Sequence, residues 1–186
     1  MKKTLYLKFL LAYFIFGIFG FIVVSTFSPG MVRDSLVKEK AEQLFAEANL
    51  ISKTYASELY NSEIGLETVK DELDALSVYM DTAIQIVNPS GRVVLNSQRK
   101  LNVEEIVMIE NFDPTITGNS YYVVDRFFDT FDRQCLNVIA PINSDFKVKG
   151  YVTMHYPMNK IDLSMNRMTS IFLITFLILF FQNHRI

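Results

Sequence analysis

The side chains best suited to binding chemistry lie between residues 121 and 155. Arg126 carries a planar guanidinium that can hold a carboxylate through two parallel hydrogen bonds. Tyr121 and Tyr122 stand just before it in a predicted strand, and His155 lies in another predicted strand. Simpler roles are favoured for all four: the arginine can pair with a neighbouring aspartate, the tyrosines can fill a core, and the histidine can be a half-exposed strand residue. The sequence offers contacts for a small molecule, and it offers no catalytic group.

An acidic cluster overlaps this region. Asp125, Asp129 and Asp132 lie within eight residues of one another, and hard divalent cations favour grouped carboxylates. Arg126 and Arg133 stand among them, however, and a phenylalanine occupies the place where the usual cation-binding loop has glycine. We therefore expect no metal site here.

The composition narrows the class of protein. The chain has 186 residues and a net charge of −2, and no basic patch is present, so a nucleic-acid partner is not expected. A single cysteine, Cys135, excludes an internal disulfide, and we expect it to be buried and inert. Two histidines and one cysteine leave little for a His/Cys metal site. Half of the residues are hydrophobic, and they are concentrated at the two ends of the chain.

The N-terminal apolar run predicts a transmembrane helix. Residues 9–27, "FLLAYFIFGIFGFIVVSTF", are uncharged, and nineteen helical residues cover roughly 28 Å, about one hydrocarbon core. A cleaved signal peptide usually has a shorter apolar core and an Ala-x-Ala-like site, which is missing. The lysines within residues 1–8 predict a cytoplasmic N-terminus. Pro29-Gly30 predicts a break just outside the span.

The C-terminal apolar run, residues 168–181 ("MTSIFLITFLILFF"), is shorter. Fourteen helical residues cover roughly 21 Å, less than a full span. A short interfacial helix or a buried core helix would fit that length, but the run is apolar on every face, which suits lipid. We interpret it as a second, truncated membrane helix, followed by a tail at residues 182–186.

Two helices are predicted after the first span. Residues 32–60 carry an apolar stripe at alternating steps of four and three. The stripe can cover the domain's own sheet, form a dimer seam, or do each along a different part of the helix. Its members are Val37, Ala41, Leu44, Ala48, Ile51 and Tyr55. A second helix is predicted over residues 64–80, with Lys70 among the residues that face solvent. Its predicted apolar face consists of Leu66, Val69, Leu73, Leu76 and Met80.

Strands follow these helices. Asn88, Pro89 and Gly91 suit the first, second and fourth positions of a type I turn, so "IQIVNPSGRVVLNS" (84–97) predicts a β-hairpin. A short helix is expected from Asn102. Further strands are predicted at 120–128, 135–143 and 148–158, and short connections make all five antiparallel. A polar helix from Asn159 leads into the second apolar run. The fold class is α+β.

The order of these segments resembles the extracytoplasmic PAS-like (PDC, or single Cache) sensor domain of bacterial transmembrane histidine kinases. The resemblance rests on the long helix after the first span, on "IQIVNPSGRVVLNS", and on "LNVIAPINSDFKVKGYVTMHYPMNKI" running into the second span. It implies an extracytoplasmic domain over residues 28–167 in a bacterial cell membrane, working as a homodimer. It also implies a small-molecule or ionic signal bound at a pocket on the sheet, for which Tyr121, Tyr122, Arg126 and His155 are the candidates.

Kinase chemistry is not expected in the chain itself. The family carries a HAMP-type linker, a phospho-accepting histidine and an ATP-binding domain after the second span. The two histidines here, His155 and His184, lack that context, and no glycine-rich phosphate loop is present. ATP, Mg²⁺ and a response regulator would therefore concern only a kinase domain beyond residue 186.

The sequence-based hypothesis is the input portion of a two-component sensor histidine kinase, ending within or just after its second span. Two alternatives stay open. The same input domain precedes chemoreceptor and cyclic-nucleotide-synthase outputs. A kinase-less, membrane-tethered protein that binds a ligand or forms mixed dimers is the other alternative.

Overall fold

The computed structural model describes residues 2–56, 65–99 and 106–182. Two compact units are present, one formed by residues 1–36 and 162–186 and the other by residues 37–161. Helix α1 spans Lys2–Ile51 and ends in a π-helical turn, Ser52–Ala56, while α2 spans Leu66–Met80 and α3 spans Met158–Gln182. The strands are β1 (Ala83–Val87), β2 (Arg92–Asn96), β3 (Val107–Met108), β4 (Tyr122–Asp125), β5 (Cys135–Ser144) and β6 (Lys147–Pro157).

The α+β fold class is confirmed, with one strand more than expected. The six strands form one antiparallel sheet in the order β3-β2-β1-β6-β5-β4. The added strand β3 has two residues and pairs with β2 through Arg92–Met108 and Val93–Val107. The helix expected from Asn102 falls partly on residues 100–105, which lie outside the described residues. Where its continuation was expected, residues 107–108 instead pair with the free edge of the hairpin, which satisfies backbone groups that would otherwise stay unpaired.

The turn between β1 and β2 is formed as the sequence predicted. The Gly91 N–H donates to the Asn88 carbonyl over 3.0 Å, and Gly91 takes a φ of +86°. The Asn88 side-chain oxygen accepts from the backbone N–H groups of Ser90 (3.0 Å) and Arg92 (2.9 Å). The asparagine therefore holds the reversal through its own side chain, as this turn chemistry requires.

The apolar stripe of α1 is buried within its own domain. Val37, Ala41, Leu44, Ala48 and Ile51 are all buried in the single chain, whereas the side chain of Tyr55 lies outside the described residues. On the same side of the sheet, the Lys40 ammonium lies 4.7 Å from the centre of the Tyr156 ring of β6. Of the two roles open from sequence, these five residues take the packing role.

Helix α2 confirms the predicted apolar face, with one correction. Val69, Leu73 and Met80 are buried, but Lys70, expected in solvent, is 7% exposed. Its ammonium forms an ion pair with Asp74 one turn later. Because Asp74 is itself partly exposed, the long lysine stem can be buried while its charge stays at the surface.

The expected break at Pro29-Gly30 is wrong, because α1 runs through both residues as continuous helix. A proline inside a helix removes one N–H donor, a local cost of about 3 kcal/mol that the turns on either side can tolerate. Membrane helices accept proline more readily than soluble ones, and Ser or Thr side chains often help. Here the Thr26 hydroxyl donates to the Ile22 carbonyl over 2.7 Å.

Helix α3 confirms that a polar helical start leads directly into the second apolar run. Its stretch Met158–Ile178, 21 residues, is the one helix among the described residues that is long and apolar enough to cross a membrane. Lys8–Val23 in α1 is apolar but shorter, so the first span stays a prediction. Within the unit formed by residues 1–36 and 162–186, the Phe21 and Phe176 rings lie 4.7 Å apart, and Arg33 Nε donates to Asp162 Oδ1 over 3.1 Å.

Candidate ligand-binding face

The side of the sheet turned away from α1 carries a line of buried polar side chains. Successive strand residues point to opposite faces, and the register places Gln85 opposite Thr153 and Asn137 opposite His155. These four residues share one face and are each no more than 3% exposed. We call Gln85, Thr153, His155 and Asn137 the polar row. Apolar strand residues would be the ordinary choice here, because burying a polar group is costly unless it is hydrogen-bonded.

Most of the polar row is joined into one hydrogen-bonded chain. Asp125, at the end of β4, accepts a hydrogen bond from Asn137 Nδ2 over 2.6 Å. The Asn137 carbonyl oxygen lies 2.8 Å from His155 Nδ1, and His155 Nε2 lies 2.9 Å from the Thr153 hydroxyl oxygen. The chain runs Asp125, Asn137, His155, Thr153.

The chemistry of these groups fixes the direction of each proton. The Asn137 side-chain oxygen can only accept, so His155 Nδ1 carries the hydrogen. Complete burial lowers the pKa of His155 from 6.5 to about 3, so the ring is neutral and its Nε2 is an acceptor. The Thr153 hydroxyl therefore donates its one hydrogen to His155 and keeps only acceptor capacity.

Gln85 ends the row without a complete set of partners. Its Oε1 is buried, and no described donor reaches it. Thr153 lies directly opposite on the neighbouring strand, a position that brings Cβ atoms to about 5 Å. Two oxygens with free lone pairs, Gln85 Oε1 and Thr153 Oγ1, therefore belong to directly opposed residues on the same face of the sheet.

Aromatic rings pack against the polar row at His155. The Phe127 and Phe131 rings lie 4.2 Å and 4.8 Å from the His155 ring, measured between centroids. Phe112 and Phe128 pack beside Phe127 at 6.4 Å and 5.1 Å. We call Phe112, Phe127, Phe128 and Phe131 the aromatic cover, which lies on the apolar cluster that includes Val87, Ile109 and Ile139.

The central part of the aromatic cover has an unusual backbone. Phe127, Phe128 and Asp129 are consecutive and have φ values of 47°, 53° and 55°. A left-handed conformation costs roughly 1–2 kcal/mol for each residue with a Cβ, and such residues cluster at ligand clamps and switch regions. The Asp125 carboxylate supports the turn by accepting the Phe127 N–H over 2.8 Å. One aspartate thus anchors both the polar row and the cover.

The other part of the cover depends on a glycine. The Ile109 N–H donates to the Gly91 carbonyl over 2.8 Å. A Cβ on Gly91 would lie 2.8 Å from the Ile109 carbonyl oxygen and 3.0 Å from Phe112 Cβ. The loop that carries Phe112 is therefore held close against the hairpin turn, and only glycine leaves room for it.

The four candidates predicted from sequence do not come together. Tyr121 donates to Glu42 of α1 over 3.2 Å, and Tyr122, in register with Val138, lies on the helix-facing side of the sheet. Burial and the hydrogen bond to Glu42 raise the pKa of Tyr121. Arg126 is more than half exposed and pairs with Asp129 at 2.7 Å. His155 alone belongs to the polar row, and it is fully buried instead of half-exposed.

Two members of the acidic cluster have partners within the chain. Asp125 accepts from Asn137 and Phe127, and Asp129 pairs with Arg126. Within residues 2–56, 65–99 and 106–182, no group of three or more His, Cys, Asp or Glu side chains could hold a metal ion. Cys135 is buried, and burial raises the pKa of its thiol, so the thiolate is disfavoured.

Gln85, Asn137, Thr153 and Asp125 were not recognised as site residues from the sequence. A signal was present, because Gln85 and Asn137 interrupt the apolar runs "AIQIV" and "CLNVIA". A strand that is apolar at consecutive positions is buried on both faces, so a polar residue inside it must also be buried. Alternation alone would have placed such residues in solvent.

Solved structures with the same fold are sensor domains. The extracellular domain of vpHK1S-Z8, a protein named as a histidine kinase, matches with a TM-score of 0.54 and 9% identity, over 74% of this chain and 58% of that one. The sensor domain of the V. cholerae histidine kinase DctB matches with a TM-score of 0.50 and 11% identity, over 74% of this chain and 57% of that one. The ligand-binding domain of the Campylobacter jejuni chemoreceptor Tlp3, in complex with 4-methylisoleucine, gives 0.45 and 14%, over 72% of this chain and 57% of that one.

These similarities concern the fold. No protein-family model matches the chain, and no curated protein sequence matches it. The chain spans less than two thirds of the length of the solved domains it resembles. The chain therefore has the fold of these sensor domains, as the resemblance in the sequence implied.

Proposed function

We propose that this chain is the membrane-anchored input part of a signalling receptor. Its ectodomain binds a small molecule at the polar row and reports the occupancy of that site across the membrane. The observation that supports this most is the buried polar row under an aromatic cover, with an acceptor on Gln85 that has no described donor. A protein that needed only a stable sheet would gain by replacing these residues with apolar ones.

The apolar helices support a membrane anchor. In the Met158–Ile178 stretch only Met158, Ile161 and Met165 are buried within the chain, and Phe16 on α1 is 76% exposed. Large apolar side chains exposed along a whole helix suit lipid better than water. With a cytoplasmic N-terminus, the domain that follows the first span lies outside the cytoplasm.

Direct chain connections offer a route from the site to α3. Strand β6 carries Thr153 and His155, and α3 begins at Met158 without an intervening loop. The Met158 N–H donates to the Gln134 carbonyl at the start of β5 over 3.1 Å, and Lys160 forms an ion pair with Asp81 at the end of α2. A ligand that moves β5 and β6 would thereby displace the first turn of α3.

We also propose which class of signalling domain this sensor controls. We favour a two-component histidine kinase, because vpHK1S-Z8 and DctB, the two solved domains described above with TM-scores of 0.50 or more, carry that name. A chemoreceptor or cyclic-nucleotide-synthase output and a kinase-less tethered receptor are the alternatives, and the coding sequence after residue 186 discriminates among them. We also propose that the receptor is a homodimer, which crosslinking in membranes tests.

Ligand binding is tested with the full chain in lipid nanodiscs. A library of small molecules is screened for compounds that raise the unfolding temperature, since binding to the native state alone stabilises it. A set of compounds that stabilises the chain, and loses its effect in Asn137→Leu, supports the proposal. The absence of any stabilising compound across the amino acid, amide, sugar and carboxylate classes argues against a ligand sensor.

Topology is tested separately in intact cells. Phe146 is fully exposed at the turn between β5 and β6, so Phe146→Cys in a Cys135→Ser background reacts with a membrane-impermeant maleimide if the domain is extracytoplasmic. Lys8→Cys is the matched control and reacts only after lysis. Labelling of both positions only after lysis would refute the extracytoplasmic assignment.

A further inference from the structure

Resting on the proposed function, we propose that the site binds its ligand through an uncharged hydrogen-bond donor. The N–H₂ of a carboxamide or an equivalent N–H or O–H group would be held between Gln85 Oε1 and Thr153 Oγ1. A carboxylate would be rejected at this position. This differs from the carboxylate ligand that Arg126 suggested in the sequence.

The first argument is the assignment of hydrogens along the polar row. Asn137 donates to Asp125 and accepts from His155 Nδ1, which leaves His155 Nε2 to accept from Thr153. In the series of hydrogen bonds from Thr153 through His155 and Asn137 to Asp125, each side chain therefore donates to the next one in the direction of Asp125. At the other end, Thr153 Oγ1 and Gln85 Oε1 present lone pairs, so an acceptor placed against these two oxygens would be repelled and left unpaired.

The second argument is the distribution of charge. Apart from the neutral His155, Lys70 is the buried basic side chain among the described residues, and it pairs with Asp74 on α2. Arg126 pairs with Asp129 at the surface. A buried carboxylate needs a paired cation, and the polar row supplies none in the part of the chain that the structure describes.

The third argument excludes a cationic donor as the preferred ligand. The carboxylate of Asp125 is at the far end of the chain and already accepts from Asn137 and from the Phe127 backbone. An ammonium between Gln85 and Thr153 would face two neutral acceptors and no counter-ion. An uncharged donor meets both acceptors without burying a charge, and its apolar remainder can contact the aromatic cover.

The test compares ligands that differ only in the reacting group. Carboxamides, carboxylates and primary amines with the same carbon skeletons are titrated against the full chain in nanodiscs, with the shift in unfolding temperature as the readout. We expect the carboxamides to give the shift and the matched carboxylates to give none. Carboxylates that bind as well as, or better than, their carboxamides would overturn the inference.

A variant tests the acceptor without any ligand. Gln85→Met keeps the length of the side chain and removes the whole amide, including the unpartnered Oε1, so the ligand-free protein should unfold a few degrees higher and lose its response to carboxamides. Gln98→Met, at an exposed turn position, is the matched control and should change neither. A lower unfolding temperature for Gln85→Met, or a retained carboxamide response, contradicts the inference.

The outcomes separate the two proposals. If compounds bind but prefer carboxylates, or bind Gln85→Met unchanged, the donor inference fails and the sensor function stands. If no compound of any class binds while Gln85→Met still raises the unfolding temperature, the acceptor assignment holds and the sensor function fails.

Discussion

The neutral state of His155 makes the stability of the domain depend on pH. The pKa of His155 is about 3 in the folded chain against 6.5 for the unfolded one. The unfolded state therefore takes up the proton first as the pH falls, and stability is lost below pH 6.5. Each pH unit in the range between these two values is worth about 1.4 kcal/mol.

The pH-dependent change in unfolding free energy caused by His155 is large enough to measure. Between pH 7.5 and pH 5 the proton linkage of His155 amounts to about 2 kcal/mol of unfolding free energy, whereas ordinary carboxylates titrate mostly below this window. Urea unfolding of the full chain in detergent, followed by tyrosine fluorescence because the chain has no tryptophan, measures it at each pH. In His155→Gln the same titration should lose this slope and keep all other contributions.

The test compares the pH dependence of the unfolding free energy in wild type and in His155→Gln. Equal pH slopes in wild type and His155→Gln between pH 7.5 and pH 5 would refute the buried, neutral histidine. If the variant is too unstable to compare, NMR of the wild-type imidazole gives the same information. Its resonances should show a neutral ring at pH 5, and a midpoint near 6.5 would contradict the structure.

Three further substitutions test the aromatic cover and its surroundings. Gly91→Ala should destabilise the domain by at least about 1–2 kcal/mol because of the left-handed φ alone, and the contact of the new Cβ with the Ile109 carbonyl should add to this loss. Chemical denaturation measures the change in unfolding free energy. An unchanged stability would contradict the close approach of the Ile109 carbonyl to Gly91. Phe127→Ala should cost about 3–5 kcal/mol, and its backbone amides 125–133 should exchange faster with deuterium. Arg126→Ala should change stability by less than about 1 kcal/mol, because its ion pair with Asp129 is exposed. It should also leave ligand affinity unchanged in titration. Loss of the ligand response in this variant would show that Arg126 is part of the binding site.

The elements that follow from local chemistry could be predicted from the sequence. The turn at Asn88 depends on residues within four positions of one another, and the stripe from Val37 to Ile51 depends on helical spacing. Both are confirmed. The two-residue strand β3 could not be predicted, since it forms only because the edge of β2 is available at a distance along the chain.

The candidate site was only partly predictable for a related reason. His155 was named from its type, but its partners Asn137 and Thr153 reach it through strand register, which no local pattern fixes. Arg126 has the residue type that suggests a ligand contact, yet the left-handed turn after it brings Asp129 into reach at the surface. Such a turn at Phe127 and Phe128 contradicts ordinary backbone preference, so no sequence pattern predicts it.

The most direct test of a ligand site under the aromatic cover is hydrogen–deuterium exchange of the full chain in nanodiscs, with and without a stabilising compound. The account predicts that bound ligand slows exchange in residues 109–118 and 125–133 and in strand β6 around Thr153. Protection confined to α1 and α2, with no change in those segments, would place the binding site on the other face of the sheet and contradict the account.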